Sequence, residues 1–138
     1  MKSLSVLGGL LILVTSLIGS NQAFAHGGYP SDTIPAAHTF ARQVEHFQHV
    51  IENEVEYSHL ADDVEHLAEA ADQFHHAVEG GAPFRHAMRD FFSLRMQYDH
   101  VRQAFYRAHD VHHDSHVAND WNKVEQTFGE LARSIRLF

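Results

Sequence analysis

Four stripes of apolar residues at helical spacing run along this chain. Phe40, Val44, Phe47 and Ile51 recur at steps of four, three and four, and Leu60, Val64, Leu67, Ala71, Phe74 and Val78 keep the same alternation. A third stripe is Phe84, Ala87, Phe91, Leu94, Tyr98, Val101, Phe105 and Ala108, and a fourth is Trp121, Val124, Phe128, Leu131 and Ile135. Steps of three and four put side chains on one face of an α-helix, and no stretch alternates at the period of two that strands need. The pattern predicts an all-α domain.

The breaks between stripes set the topology. Extending the first stripe beyond Ile51 lands on Glu54, Ser58, Ala61 and Glu65, mostly polar positions, so the register fails near Asn53–Ser58. A single helix from Ala36 to Val78 would also run about 65 Å at 1.5 Å per residue, too long for one compact domain of this size. Gly80-Gly81-Ala82-Pro83 ends the second helix and starts the third, because glycine accepts the left-handed conformation past a helix end and proline suits a helix start. The histidine-rich segment around residue 112 forms or borders the third break. Four amphipathic helices with short connections predict an antiparallel up-down-up-down four-helix bundle. The second helix is acidic (Asp62, Asp63, Glu65, Glu69, Asp72, Glu79) and the third basic (Arg85, Arg89, Arg95, Arg102, Arg107). Those rows could pair lengthwise, although exposed pairs contribute only about 0 to 1 kcal/mol each.

The beginning of the chain reads differently. Lys2 is followed by an apolar run from Leu4 to Ile18, and Ala23-Phe24-Ala25 has the small-x-small form of a signal-peptidase site. Residues 1–25 are therefore expected to be a cleaved signal peptide, residues 26–35 an irregular arm between turn formers, and residues 36–138 the bundle domain. The alternative for the apolar run is a retained membrane anchor. Cleavage would leave nine Lys and Arg against eighteen Asp and Glu, a net charge of −9 with neutral histidine. Such a surface repels nucleic acid and anionic lipid, and export places the protein in a periplasmic or extracellular compartment. There is no cysteine. Disulfides, thiolate metal sites and covalent haem attachment are excluded, and the aromatic-rich stripes must supply the stability.

Histidine is the one composition signal that points to chemistry. The chain holds fourteen, four of them in His109-Asp110-Val111-His112-His113-Asp114-Ser115-His116. Imidazole is the commonest protein metal ligand and titrates near neutral pH, so the cluster reads as a metal site or a pH-responsive surface. If helical, positions 109, 112, 113 and 116 share a face, and the i, i+4 pairs His109–His113 and His112–His116 could each chelate one ion. In an up-down bundle the first connection lies at the same end. That places Glu52, Glu54, Glu56 and His59 nearby as further donors, and the mixed nitrogen and oxygen set suits zinc, copper or nickel. His75, His76, His86 and His38 gather at the opposite end. Cleavage after Ala25 would also give His26 a free α-amino group beside its imidazole, a chelating pair favourable to copper. His46, His49, His59, His66 and His100 fall outside the apolar stripes and are expected to be exposed.

Other chemistries find little support. Glu56-Tyr57-Ser58-His59 has the Glu-x-x-His spacing of di-iron bundles, but the stripes supply almost no inward-facing glutamate. Met88 and Met96 lie off the third stripe, and no haem is expected. No serine has a Gly-x-Ser-x-Gly context and no phosphate-cradling glycine loop occurs, so an enzyme is not the expectation, and one using a metal held at His109–His116 ranks third among the readings. The leading expectation is an exported helical bundle that binds a divalent transition metal as a buffer, sensor or carrier. The alternative is an envelope interaction module without a specific metal, tuned by histidine protonation, with an envelope protein as its partner.

Overall fold

The computed structural model describes residues 28–54, 58–108 and 114–135. Among these residues there are four α-helices and no strands: α1 (Thr33–Glu54), α2 (Ser58–Glu79), α3 (Phe84–Arg107) and α4 (Ser115–Ser134). The arrangement is consistent with a four-helix bundle. Every break falls where the apolar period fails. α1 begins at Thr33, ahead of Ala36, and it holds Pro35 in its first turn, where a missing N–H leaves no helical bond unmade. None of the four is long and apolar enough to cross a membrane.

The stripes become the core. Phe40, Val44, Phe47 and Ile51 of α1, Val64, Leu67 and Phe74 of α2, Leu94, Val101 and Phe105 of α3, and Trp121, Val124 and Leu131 of α4 are all buried. Phe128 is half-buried. Met88, which the period places off the third stripe, is buried too, because α3's covered face is wider than one residue per turn. Tyr29 also enters the core, and its hydroxyl donates to the Ala82 carbonyl, tying the arm to the α2–α3 turn.

α1 packs against both α2 and α4, and α2 against α3. The α3 and α4 backbones stay more than 8 Å apart between Cα atoms, so aromatic rings bridge them. Tyr98 stacks on Phe128 with ring centroids 3.8 Å apart, and Phe105 on Trp121 at 5.1 Å. Contacts proceed in opposite order along paired helices. Phe40 meets Phe128 while Phe47 meets Trp121, and Asp63 meets His100 while Phe74 meets Phe91. The arginines of α3 largely turn to neighbours other than α2: Arg102 bonds Glu125 of α4 at 3.0 Å, and Arg95 and Arg89 lie beside Asp99 and Asp90 of their own helix.

Two local features carry predictions. At the end of α2, the Ala82 amide donates to Ala77 O at 2.9 Å and the Gly81 amide to Val78 O at 3.3 Å, with Gly81 at φ +69°. This is a Schellman cap, which needs a left-handed residue. Gly81→Ala should destabilise by about 1 to 2 kcal/mol in a denaturant titration, the cost of holding a Cβ in that region. On the α3–α4 seam, burial pushes the Tyr98 hydroxyl up from 10.0 to about 12, and the Glu125 carboxylate adds to the shift. The folded state therefore holds this proton more tightly than the unfolded chain. Its contribution is fully present below pH 10 and is lost as pH rises to about 12. Ultraviolet titration should show Tyr98 ionising well above the ordinary tyrosine value, with unfolding promoted across that window.

Candidate functional site

The groove between α1 and α2 brings together side chains that lie far apart in sequence. It encloses about 460 Å³ and is lined by His38, Ala41 and Arg42 from α1 and by Ala68, Asp72 and His75 from α2, among others. The small residues Ala41 and Ala68 open the space. The helical period places His75 and His76 side by side at the groove's edge and Glu79 one turn further on. One ligand atom from each of His75, His76 and Glu79 lies within 4.8 Å of the others. His75 Nε2 and His76 Nδ1 are both 3.8 Å from Glu79 Oε2, and His76 Nε2 is 3.4 Å from Asp72 Oδ2. Across the helix interface the His38 ring centre is 5.0 Å from that of His75.

These separations have a chemical meaning. An N–H···O hydrogen bond spans about 2.7 to 3.2 Å. Two ligands about 2.0 to 2.1 Å from one tetrahedral ion stand about 3.4 Å apart, so the two imidazole nitrogens at 3.8 Å from Glu79 Oε2 are spaced a little beyond the edge of a coordination tetrahedron. His75 Nε2, His76 Nδ1 and Glu79 Oε2 can serve as three such donors. Asp72, on the other nitrogen of His76, then takes the place of the outer carboxylate that orients a metal-binding imidazole. His75 is largely enclosed, whereas His76 and Glu79 reach solvent, so a fourth position would be open to water.

A second group lies where α1 meets α4. Asp120 has a side chain only 3% exposed. Lys123 Nζ holds Oδ1 at 2.6 Å, while His46 Nε2 of α1 and His116 Nδ1 of α4 face Oδ2 at 3.7 and 3.5 Å. Asp114 caps α4 by accepting from the His116 and Val117 amides through Oδ1, which fixes the first turn that carries His116.

Of the sequence-derived candidates, His109, His112, His113, Glu56 and His26 lie outside the described residues. His59 is exposed in the first turn of α2, and His116 is placed beside Asp120. His75, His76 and His38, grouped at one end by topology, do come together, whereas His86 is exposed on the first turn of α3. His46 is exposed as expected, yet its ring edge reaches Asp120. The periodicity gives no sign that Asp120 is buried. The signal that could have found it is local: His116, Asp120 and Lys123 at i, i+4 and i+7 place an acceptor between two cationic or nitrogen-bearing groups on one helix face. Compared with protein-family models, with curated proteins and with solved structures, the chain matches none.

Proposed function

We propose that this chain is an exported, histidine-rich helical-bundle protein that binds a divalent transition metal and acts as a buffer, sensor or carrier. The observation that carries the reading is the α1–α2 groove: three donors on α2 spaced for one ion, with His38 of α1 facing them. Two imidazole nitrogens and a carboxylate oxygen are borderline ligands that suit zinc, copper or nickel over calcium or magnesium. The wider reading includes an antiparallel up-down-up-down topology, supported by the opposing contact order along the helices. It also includes removal of residues 1–25, supported by the Ala23-Phe24-Ala25 motif, and residence in the periplasm or outside the cell. Metal donors at His109, His112, His113, His116, Glu56, His59 and His26 remain part of the proposal on sequence grounds.

Isothermal titration of the purified protein with Zn²⁺ or Cu²⁺ tests the reading. Specific binding at low stoichiometry, weakened by His75→Ala with His76→Ala but not by His49→Ala with His66→Ala, is the expected result. Equal losses in both double variants would mean diffuse binding by surface histidines and would overturn it. A metal-free interaction module is the second reading, and it draws on a different surface. Phe92 and Met96 stand exposed on α3 with Arg89 and Arg95 beside them, an apolar strip with basic edges that a protein partner could cover.

A further inference from the structure

Among the described residues, the large apolar side chains left in solvent are all on α3: Phe84, Phe92, Met96 and Tyr106. Phe84 leans on Tyr29 at 6.0 Å between ring centroids, and the Tyr106 hydroxyl donates to Glu125 of α4 at 3.2 Å. Phe92 and Met96 stand furthest out, 50% and 73% exposed and one turn apart on the same face. They are the middle of a second stripe, which runs along the side of α3 opposite its buried face. Arg85, Arg89, Phe92, Met96, Asp99 and Gln103 recur at steps of four, three, four, three and four, and each is exposed. Burial within the bundle needs only one face of α3, and a second seam in the same register is the pattern of a helix that packs on another helix.

The order of charges along that stripe says what covers it. Two arginines stand on one side of the apolar pair, an acid and an amide on the other. A two-fold axis crossing the helix level with Leu94 sets Phe92 against the partner's Met96, Arg89 against the partner's Asp99 and Arg85 against the partner's Gln103, each contact made twice. A parallel pairing would bring Arg89 onto the partner's Arg89 and Asp99 onto the partner's Asp99, so the charges select the antiparallel one. Elsewhere on the chain there is no apolar counterpart: among the described residues the outer faces of α1, α2 and α4 carry no large apolar side chain. The contacts these charges already make are loose, Arg89 at 3.5 Å from Asp90 and Arg95 at 3.9 Å from Asp99, and they give way at little cost. We propose that α3 is a self-complementary surface through which two copies of this chain associate, antiparallel, about a two-fold axis at Leu94. A contact along one helix uses far fewer than the roughly 20 to 30 residues a side of a standard interface, so the dimer is weak. It forms at about 0.1 to 1 mM and dissociates at the micromolar concentrations of an unfolding measurement. The surface shares no residue with the α1–α2 groove, and the inference does not rest on the reading given for that groove.

Sedimentation equilibrium of the purified protein tests this, with a metal chelator present so that exposed histidines cannot bridge copies through an ion. From about 10 μM to 1 mM the wild type should pass from monomer to dimer, with no larger species, because a two-fold contact closes on itself. Met96→Lys should stay monomeric over the whole range, while circular dichroism and the melting temperature at low concentration are unchanged. Arg89→Glu, which sets an acid against the partner's Asp99, and Asp99→Arg, which sets a base against the partner's Arg89, should each weaken association about tenfold or more. The two substitutions together should restore it to within about threefold of the wild type. Positions 89 and 99 are about 15 Å apart along one helix, so such a rescue cannot arise inside a single copy. A protein that remains monomeric at every concentration would overturn the proposal and leave the strip to a foreign protein partner. A dimer that survives Met96→Lys, or a double variant as weak as the single ones, would overturn it as well. No metal enters the measurement, so its outcome and that of the groove reading are independent.

Discussion

Replacing Trp121 with alanine is expected to cost about 3 to 5 kcal/mol, the range for removing a buried aromatic when its cavity cannot collapse. Trp121 is fully buried and its indole meets Phe47 at 5.3 Å, Phe105 at 5.1 Å and Tyr98 at 5.9 Å between ring centroids. These rings belong to α1 and α3, so one side chain fills the space where three helices converge. The α3–α4 backbones are too far apart to close over the void by a small shift. In a domain of about a hundred residues each kcal/mol lowers the melting temperature by roughly 4 to 8 °C, so the loss should exceed 10 °C. Met96→Ala, at a side chain 73% exposed on α3, should stay within about 0.5 kcal/mol and serves as the control. Comparable losses for the two variants, measured by thermal and denaturant unfolding, would refute the assignment of the α4 stripe to the core.

The four stripes were legible because burial of one helical face is written residue by residue into the sequence, at steps of three and four. Turn chemistry was equally readable at Gly80-Gly81-Ala82-Pro83, where the positive φ of Gly81 matches the residue type. Tyr29 was not. It sits among turn formers with no apolar neighbour at helical spacing, and its burial depends on the α2–α3 turn, which presents Ala82 O to its hydroxyl. The early start of α1 has a similar origin. Pro35 looks like a boundary in a linear reading, but it is tolerated in the first turn, and Thr33 is held there by its bond to Ser134 O at the far end of α4.

The candidate sites divide along the same line. Grouping His38, His75 and His76 needed only the topology, because an up-down order puts the end of α2 beside the start of α1. Spacing alone could not show that Ala41 and Ala68 leave a groove between them, nor that Asp72 backs His76. Asp120 illustrates the opposite failure. A charged residue next to the first member of a stripe reads as the solvated edge of the helix, and whether it is covered depends on how closely α1 lies against that edge. Of the histidine-rich run at 109–116 only His116 lies among the described residues, and its carboxylate neighbour is on α4 itself, shared with an imidazole of α1, a contact that spacing within one helix does not reveal.

Lys123→Met should destabilise the protein by about 1 to 3 kcal/mol, because it takes the bonded partner from a carboxylate that water cannot reach. Removal of one member of a fully buried pair costs more, but Lys123 is about half exposed and part of its attraction is already screened. Asp120→Leu should behave quite differently. It removes the buried charge itself, and Lys123 can turn its ammonium into solvent, so the desolvation cost of the carboxylate disappears along with the bond. Replacing buried ionic groups by apolar ones of similar size is often neutral or stabilising, and a change close to zero is expected here. The pair of variants therefore separates two roles for Asp120. A large loss in Asp120→Leu matching that in Lys123→Met, read from denaturant midpoints at equal slopes, would mean that the ion pair itself holds α1 to α4. A loss confined to Lys123→Met would mean that the buried carboxylate is a net cost to stability and that α1 is held to α4 by the apolar contacts around it.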